Sequence, residues 1–170
     1  MNWGRIFQIQ FVNENQGIAI GNREVYSTTE GGVTWKPIDF NKNCVRREYL
    51  EEDYDASPDN LTVFDSKFVW VSYLDGRIIK SIDGGKHWCD LIHPGEIAFD
   101  GPGLEYLTAM HFDNAEHGWG LGADRFLYET TDAGKTWTRL GSDIRFNSID
   151  FIEPGSAFLV SDKSIYRFTR

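Results

Sequence analysis

Cysteine occurs only twice in the 170 residues, at Cys44 and Cys89, methionine twice and proline five times. Two cysteines are too few for a disulfide framework, so two free thiols in a reducing compartment are expected. Long apolar runs are missing too. The longest, Phe68 to Leu74, is interrupted by Ser72 and falls far short of the roughly 20 residues a membrane-spanning helix needs. Met1-Asn2-Trp3-Gly4-Arg5 leads straight into the polar-interrupted Ile6-Phe7-Gln8-Ile9-Gln10. No secretory hydrophobic region is present there, and a cytoplasmic location is expected. Positive charge is scarce: 17 Lys and Arg against 26 Asp and Glu leave a formal net charge of -9. Nucleic acid and anionic membranes attract the opposite field, which argues against both as partners and permits a basic one.

Catalytic and metal-binding patterns are as sparse. His87, His93, His111 and His117 show no ligand spacing. No glycine-rich loop leads from a strand into a helix, so a phosphate cradle is not supported. The acids lack EF-hand spacing. The chain is therefore read as non-enzymatic, with no catalytic residue, no metal and no cofactor.

What the sequence does contain is a repeat. Hydrophobic residues make up 41% and aromatics 15% of the chain, enough for the core of one domain spanning residues 1–170. Three segments share one pattern: Thr28-Thr29-Glu30-Gly31-Gly32-Val33-Thr34-Trp35, Ser81-Ile82-Asp83-Gly84-Gly85-Lys86-His87-Trp88 and Thr130-Thr131-Asp132-Ala133-Gly134-Lys135-Thr136-Trp137. Each reads hydroxyl, any, acid, any, Gly, any, usually Thr, then Trp. Period-two alternation upstream of each marks half-buried strands. A further strand opens each unit and ends on an aromatic: Phe11, Phe112 and Phe151 lie seven positions before Ile18, Trp119 and Phe158. In the second unit Phe64 precedes Trp70 by six, so that unit is read as one residue shorter. Each unit is thus strand a, strand b, strand c, the acid-and-glycine turn, and strand d beginning at the Trp. The units cover about 6–38, 60–92, 106–140 and 147–170.

The fourth unit stops before its turn and strand d. Asn2-Trp3-Gly4-Arg5 resembles Thr136-Trp137-Thr138-Arg139, and the spacing from Trp137 around the ends to Trp3 is close to that from Trp3 to Trp35. The expected architecture is all-β: a small β-propeller of four four-stranded blades, the last closed by the N-terminal strand. The alternative is an open array completed by dimerisation, so monomer or homodimer.

The turn has a physical logic. Gly32, Gly85 and Gly134 supply backbone conformations that other residues adopt at a cost. Glu30, Asp83 and Asp132 can accept turn amides, as can the hydroxyls of Thr28, Ser81 and Thr130. Trp35, Trp88 and Trp137 would wedge between sheets, each contributing roughly 4–6 kcal/mol at most through burial.

The pattern resembles the Asp-box, or bacterial neuraminidase repeat, found in sialidases, sortilin-type receptors and photosystem II assembly propellers. The third copy fits fully; the first has Glu30 for Asp and the second His87 for Thr. The resemblance implies a propeller and implies that the box residues are structural. A sialidase would need an Arg-Ile-Pro motif, where this chain has Arg5-Ile6-Phe7. Arg23, Arg77 and Arg125 fall in the b-to-c turns, a placement that repeat geometry explains as well as a shared site does.

The units differ mainly in two insertions. Asp39 to Asn60 carries seven acids against three bases, and Val45 to Glu52 could form two helical turns. His93 to Glu105 adds three acids and neither Lys nor Arg. Both emerge on the propeller face opposite the boxes, and long loops on a rigid scaffold are where binding usually resides. The candidate partner-binding residues are Glu48, Tyr49, Glu51, Glu52, Asp53, Tyr54, Asp55, Glu96, Phe99 and Asp100. The leading expectation is a protein-interaction module, of inhibitor or immunity type, that binds a basic partner through these acidic loops. A glycan-binding or sialidase-like glycosidase module and an assembly factor similar to the photosystem II assembly propellers are the alternatives.

Overall fold

In the computed structural model, the described residues are 5–22, 24–40, 57–92, 99–100, 105–141 and 143–169. They form sixteen strands in four sheets. Sheet 1 holds β1 (Ile6–Phe11), β2 (Gly17–Gly21), β3 (Glu24–Thr28) and β4 (Lys36–Pro37). Sheet 2 holds β5 (Pro58–Val63), β6 (Val69–Tyr73), β7 (Ile78–Ser81) and β8 (Cys89–Ile92). Sheet 3 holds β9 (Phe99–Asp100), β10 (Leu107–Phe112), β11 (Gly118–Gly122), β12 (Leu127–Thr130) and β13 (Trp137–Arg139). Sheet 4 holds β14 (Ser148–Glu153), β15 (Ser156–Val160) and β16 (Ile165–Thr169). Consecutive strands within a sheet pair antiparallel, except that β9 pairs parallel with the outer strand β13.

Pairing register corrects one point. Phe11 faces Gly17, Phe112 faces Gly118 and Val63 faces Val69. Val63, not Phe64, therefore occupies the strand-a position in sheet 2, seven residues before Trp70 as in the other units. No residue is missing from that unit; matching the aromatic rather than the register produced the false deletion. Among the described residues sheet 3 has five strands and sheet 4 has three, so the expectation of four strands in every blade is not met there. The proposed closing strand at Trp3 lies outside the described residues, as does the helical stretch expected over 45–52.

Because side chains alternate across a strand, each sheet has one face toward the sheet before it and one toward the sheet after it. Strand a shows this directly. Gln8 and Gln10 turn toward sheet 2, where the Gln8 amide exchanges two 2.8 Å hydrogen bonds with the Leu61 backbone. Gln10 Oε1 accepts from Val63 N at 2.7 Å. In sheet 2, Thr62 donates to the Met110 carbonyl of sheet 3 at 2.7 Å. The intervening residues point back: Leu61 packs against sheet 1, and Met110 and Phe112 against sheet 2.

Three buried clusters follow. Ile18, Ile20 and Val25 meet Leu61, Val71 and Trp88 between sheets 1 and 2. Trp70 and Ile78 meet Leu107, Phe112 and Trp137 between sheets 2 and 3. Leu121 and Leu127 meet Phe146 and Leu159 between sheets 3 and 4. The sheets form an arc in chain order, each held by the wedge residues of the next.

Candidate functional site

The c-to-d turns are built the same way three times. Thr28 Oγ1 accepts from the amides of Glu30 and Gly32, both at 3.1 Å. Ser81 Oγ accepts from Gly85 N at 2.7 Å and Thr130 Oγ1 from Gly134 N at 2.9 Å. Each turn takes two successive residues into the left-handed region. They are Gly31 and Gly32, Gly84 and Gly85, and Ala133 (φ 68°) with Gly134 (φ 93°). At Gly85 a side chain is also excluded by space, since a Cβ would lie 2.5 Å from Ile18 Cδ1 of sheet 1. Trp88 and Trp137 donate their indole N–H to the Gly85 and Gly134 carbonyls at 3.0 Å. Both are fully buried, whereas Trp35 is half-buried.

The turn acids bond within their own turns. Asp83 accepts from the amides of Lys86 and His87 and contacts the His87 ring at 2.6 Å. Asp132 accepts from the Thr136 amide at 2.9 Å and the Thr136 hydroxyl at 2.7 Å. Glu30 accepts from Thr34 Oγ1 at 2.5 Å. Burial pushes the Asp83 carboxyl up, but hydrogen bonds from the His87 amide, the His87 ring and Ser81 outweigh it and hold the pKa below the usual value. Asp132 is lowered likewise: burial is overcome by the Thr136 amide and hydroxyl, then Thr130 and the Lys135 amide. Donors that favour the ionised form explain both shifts.

A second polar centre, at the junction of sheets 3 and 4, is not visible in the sequence. Asp113 receives the Trp119 indole N–H at 2.8 Å and the Gly155 amide at 3.1 Å. His117 lies 3.1 Å from Asp113 through Nδ1 and 2.8 Å from Glu129 through Nε2. His111 lies 3.4 Å from Asp113 and stacks on Phe151 of sheet 4, with centroids 4.5 Å apart. Burial lowers the His111 pKa against the opposing pull of Asp113. Histidines that looked dispersed converge because β10, β11 and the turn between them bring positions 111, 113, 117 and 119 together. Among the described residues no group of three or more His, Cys, Asp or Glu is arranged to hold a metal ion.

The face opposite the boxes carries the b-to-c turns. Of the candidate partner-binding residues, Glu48, Tyr49, Glu51, Glu52, Asp53, Tyr54, Asp55 and Glu96 lie outside the described residues. Phe99 and Asp100 form β9, which pairs in parallel with Trp137 and Thr138 and adds a strand to the outer edge of sheet 3. Arg23 lies outside the described residues, and Arg77 is buried with its guanidinium 3.9 Å from the Tyr73 ring centre. Arg125 bonds Asp162 at 2.9 Å and also Asn147, tying sheet 3 to sheet 4. Phe126 has the Arg139 guanidinium 3.4 Å and that of Arg145 5.4 Å from its ring centre. Arg145 is exposed.

No protein-family model matches the chain. It is 27% identical over 131 residues to a photosystem II assembly lipoprotein, Ycf48, of Synechococcus sp. (strain CC9902), covering 76% of this chain and 34% of that protein. The chain thus spans about a third of that relative. It superposes on a solved structure of YCF48 bound to D1 peptide with a TM-score of 0.71 and 17% identity, over 98% of this chain and 51% of that one. A GH74 xyloglucanase from Xanthomonas campestris shares the fold as well, with a TM-score of 0.62 and 15% identity over 95% of this chain and 27% of the enzyme. The fold is that of β-propellers.

Two expectations are corrected. The matched relative is named a lipoprotein, which overturns the cytoplasmic location. Cys89 is disulfide-bonded, which overturns the reading of two free thiols. Among the described residues no helix is long and apolar enough to cross a membrane.

Proposed function

We propose that this protein is a non-catalytic binding scaffold of the assembly-factor kind, which holds a segment of a partner protein while that partner is built into a complex. The observation that carries the proposal is the likeness to Ycf48 along 131 residues. A Ycf48 structure of the same fold holds a peptide. The inhibitor reading rested on the acidic loops and their aromatic anchors, and the relatives favour the assembly role over it.

The arrangement of the site fits a binding role. The turn acids bond within their own turns, so they act as structural caps and not as acid–base groups. Phe126, flanked by Arg139 and Arg145, offers an apolar contact with positive charge beside it. A peptide carrying an acidic group beside an apolar residue would match that pair. Charge-assisted contacts of this kind favour fixed geometry over bulk affinity.

The test is direct. Overlapping synthetic peptides that tile the D1 sequence are immobilised and probed with the purified chain by biolayer interferometry. Saturable binding confined to a few adjacent tiles, weakened by Arg145→Glu, is expected. Uniform absence of binding across the tiles would remove the D1-type reading.

A further inference from the structure

The repeat makes the two ends of the arc complementary. The strand-b position at which Trp70 and Trp119 face the following sheet is held in sheet 4 by Phe158. Register places Thr62 opposite Trp70, His111 opposite Trp119 and Asp150 opposite Phe158. Trp70 and Trp119 are 0% and 1% exposed, whereas Phe158 is 42% exposed. The neighbouring strand-c position tells the same story. Val25, Ile78 and Leu127 are buried against the next sheet, and their counterpart Ile165 is 71% exposed.

At the other end, Ile9 and Phe11 of sheet 1 occupy the positions of Met110 and Phe112, which are buried against the preceding sheet. Ile9 is 51% and Phe11 45% exposed. The internal geometry of that end is already formed: Phe11 meets Trp35 edge-on at 6.0 Å and 77°, as Phe112 meets Trp137 at 6.0 Å and 72°. What Phe11 lacks is the ring that Trp70 lays flat on Phe112 at 3.7 Å. Ala19 and Tyr26, further out on the same sheet, are already buried, so the open strip is the inner strand. Among the described residues no buried cluster joins sheet 4 to sheet 1.

We propose that a second copy of this chain covers these strips, Phe158 of each copy lying on Phe11 of the other, so that two arcs close one ring. Two observations select a second copy as the occupant. Donor and acceptor strips both belong to this chain, and their exposed residues occupy the positions that are buried at its internal interfaces. Charge is complementary as well. Lys80 of sheet 2 donates to the Ala115 carbonyl in the following sheet's a-to-b turn at 3.2 Å. The corresponding positions across the new joint are Arg167, which pairs with Phe158 as Lys80 does with Trp70, and Glu14. A head-to-tail contact made twice under two-fold symmetry closes and leaves no end to propagate.

The chain itself is examined by light scattering on a sizing column. A mass of twice the monomer is expected, with Phe158→Glu and Phe11→Glu each weakening the dimer by at least about tenfold. Both residues are half-exposed within one chain, so each variant should keep the wild-type circular dichroism. Arg167→Glu should also weaken the dimer, and Glu14→Arg should restore it. Phe11→Cys and Phe158→Cys, prepared separately and then mixed, should cross-link between chains, while neither does so alone. A chain that stays monomeric up to its solubility limit overturns the proposal. So does a Phe11→Cys/Phe158→Cys double variant that cross-links only within one chain, which would mean that the arc closes on itself.

Discussion

Phe112 lies flat against Trp70, ring centroids 3.7 Å apart and planes 5° from parallel, and this contact joins sheet 2 to sheet 3. Trp70 is held from behind by Phe68, stacked at 6.1 Å, and its indole N–H donates to the Ala133 carbonyl at 3.0 Å. One ring therefore reads the strand-a residue and the box turn of the next sheet at once. Phe112→Ala should cost about 3–5 kcal/mol, as for other buried aromatics. Urea denaturation of Phe112→Ala, Trp70→Ala and the double variant should show coupling of about 0.5–1.5 kcal/mol. Strict additivity would mean that the stacking does not join the sheets.

The box acids should matter to folding in a pH-dependent way. Asp83 and Asp132 both have pKa values below their ordinary ones in the folded chain. The stability they contribute is therefore present above the unfolded value, near 4, and is lost as pH falls through the lower folded values. Asp132→Ala should lower stability by about 0.5–2 kcal/mol at neutral pH, by analogy with helix caps. Melting temperatures measured from neutral pH down to acid should converge for wild type and variant, while Glu51→Ala should leave the midpoint unchanged.

Ala133 is the one box residue in the left-handed region that carries a Cβ, where the other two turns have Gly31 and Gly84. The left-handed conformation costs an L-residue about 1–2 kcal/mol, of which glycine returns part through its freer unfolded chain. Ala133→Gly should raise stability by roughly 0.5 kcal/mol. A chemical-denaturation midpoint that falls instead would show that the methyl group packs usefully.

The repeat was legible because its signals are local. A Trp three residues after a turn glycine and alternation over short runs both appear in consecutive residues, and they correctly ordered strands a to d in sheets 1 and 2. What escaped depends on pairing across the chain. Aromatic identity points to Phe64 over Val63, whereas the hydrogen-bond register is set by both strands. A two-residue strand such as Phe99–Asp100 has no pattern of its own and exists only through Trp137 and Thr138. Asp113 looks like any turn acid until β10 and β11 fold His111, His117 and Trp119 around it. The thiol reading failed because two cysteines are enough for one bridge, though not for a framework.

Cys89 is disulfide-bonded and Cys44 is the other cysteine of the sequence. Non-reducing peptide mapping should recover a Cys44–Cys89 linkage. Cys89→Ser should lower stability by about 4 kcal/mol at most, the chain-entropy limit for a loop of this length. Full recovery of a free thiol at position 89 from protein made in an oxidising host would contradict the assignment.

The central claim is that this chain binds a segment of a partner protein on the face opposite its box turns. Isothermal titration of the chain with the best-binding D1 tile measures it most directly, with wild type, Arg145→Glu and Asp132→Ala compared at one temperature below all three melting points. The account requires saturable binding by wild type, at least about tenfold weaker binding by Arg145→Glu and unchanged affinity for Asp132→Ala. Binding lost in Asp132→Ala at intact fold, and untouched in Arg145→Glu, would place the site at the box turns and contradict it.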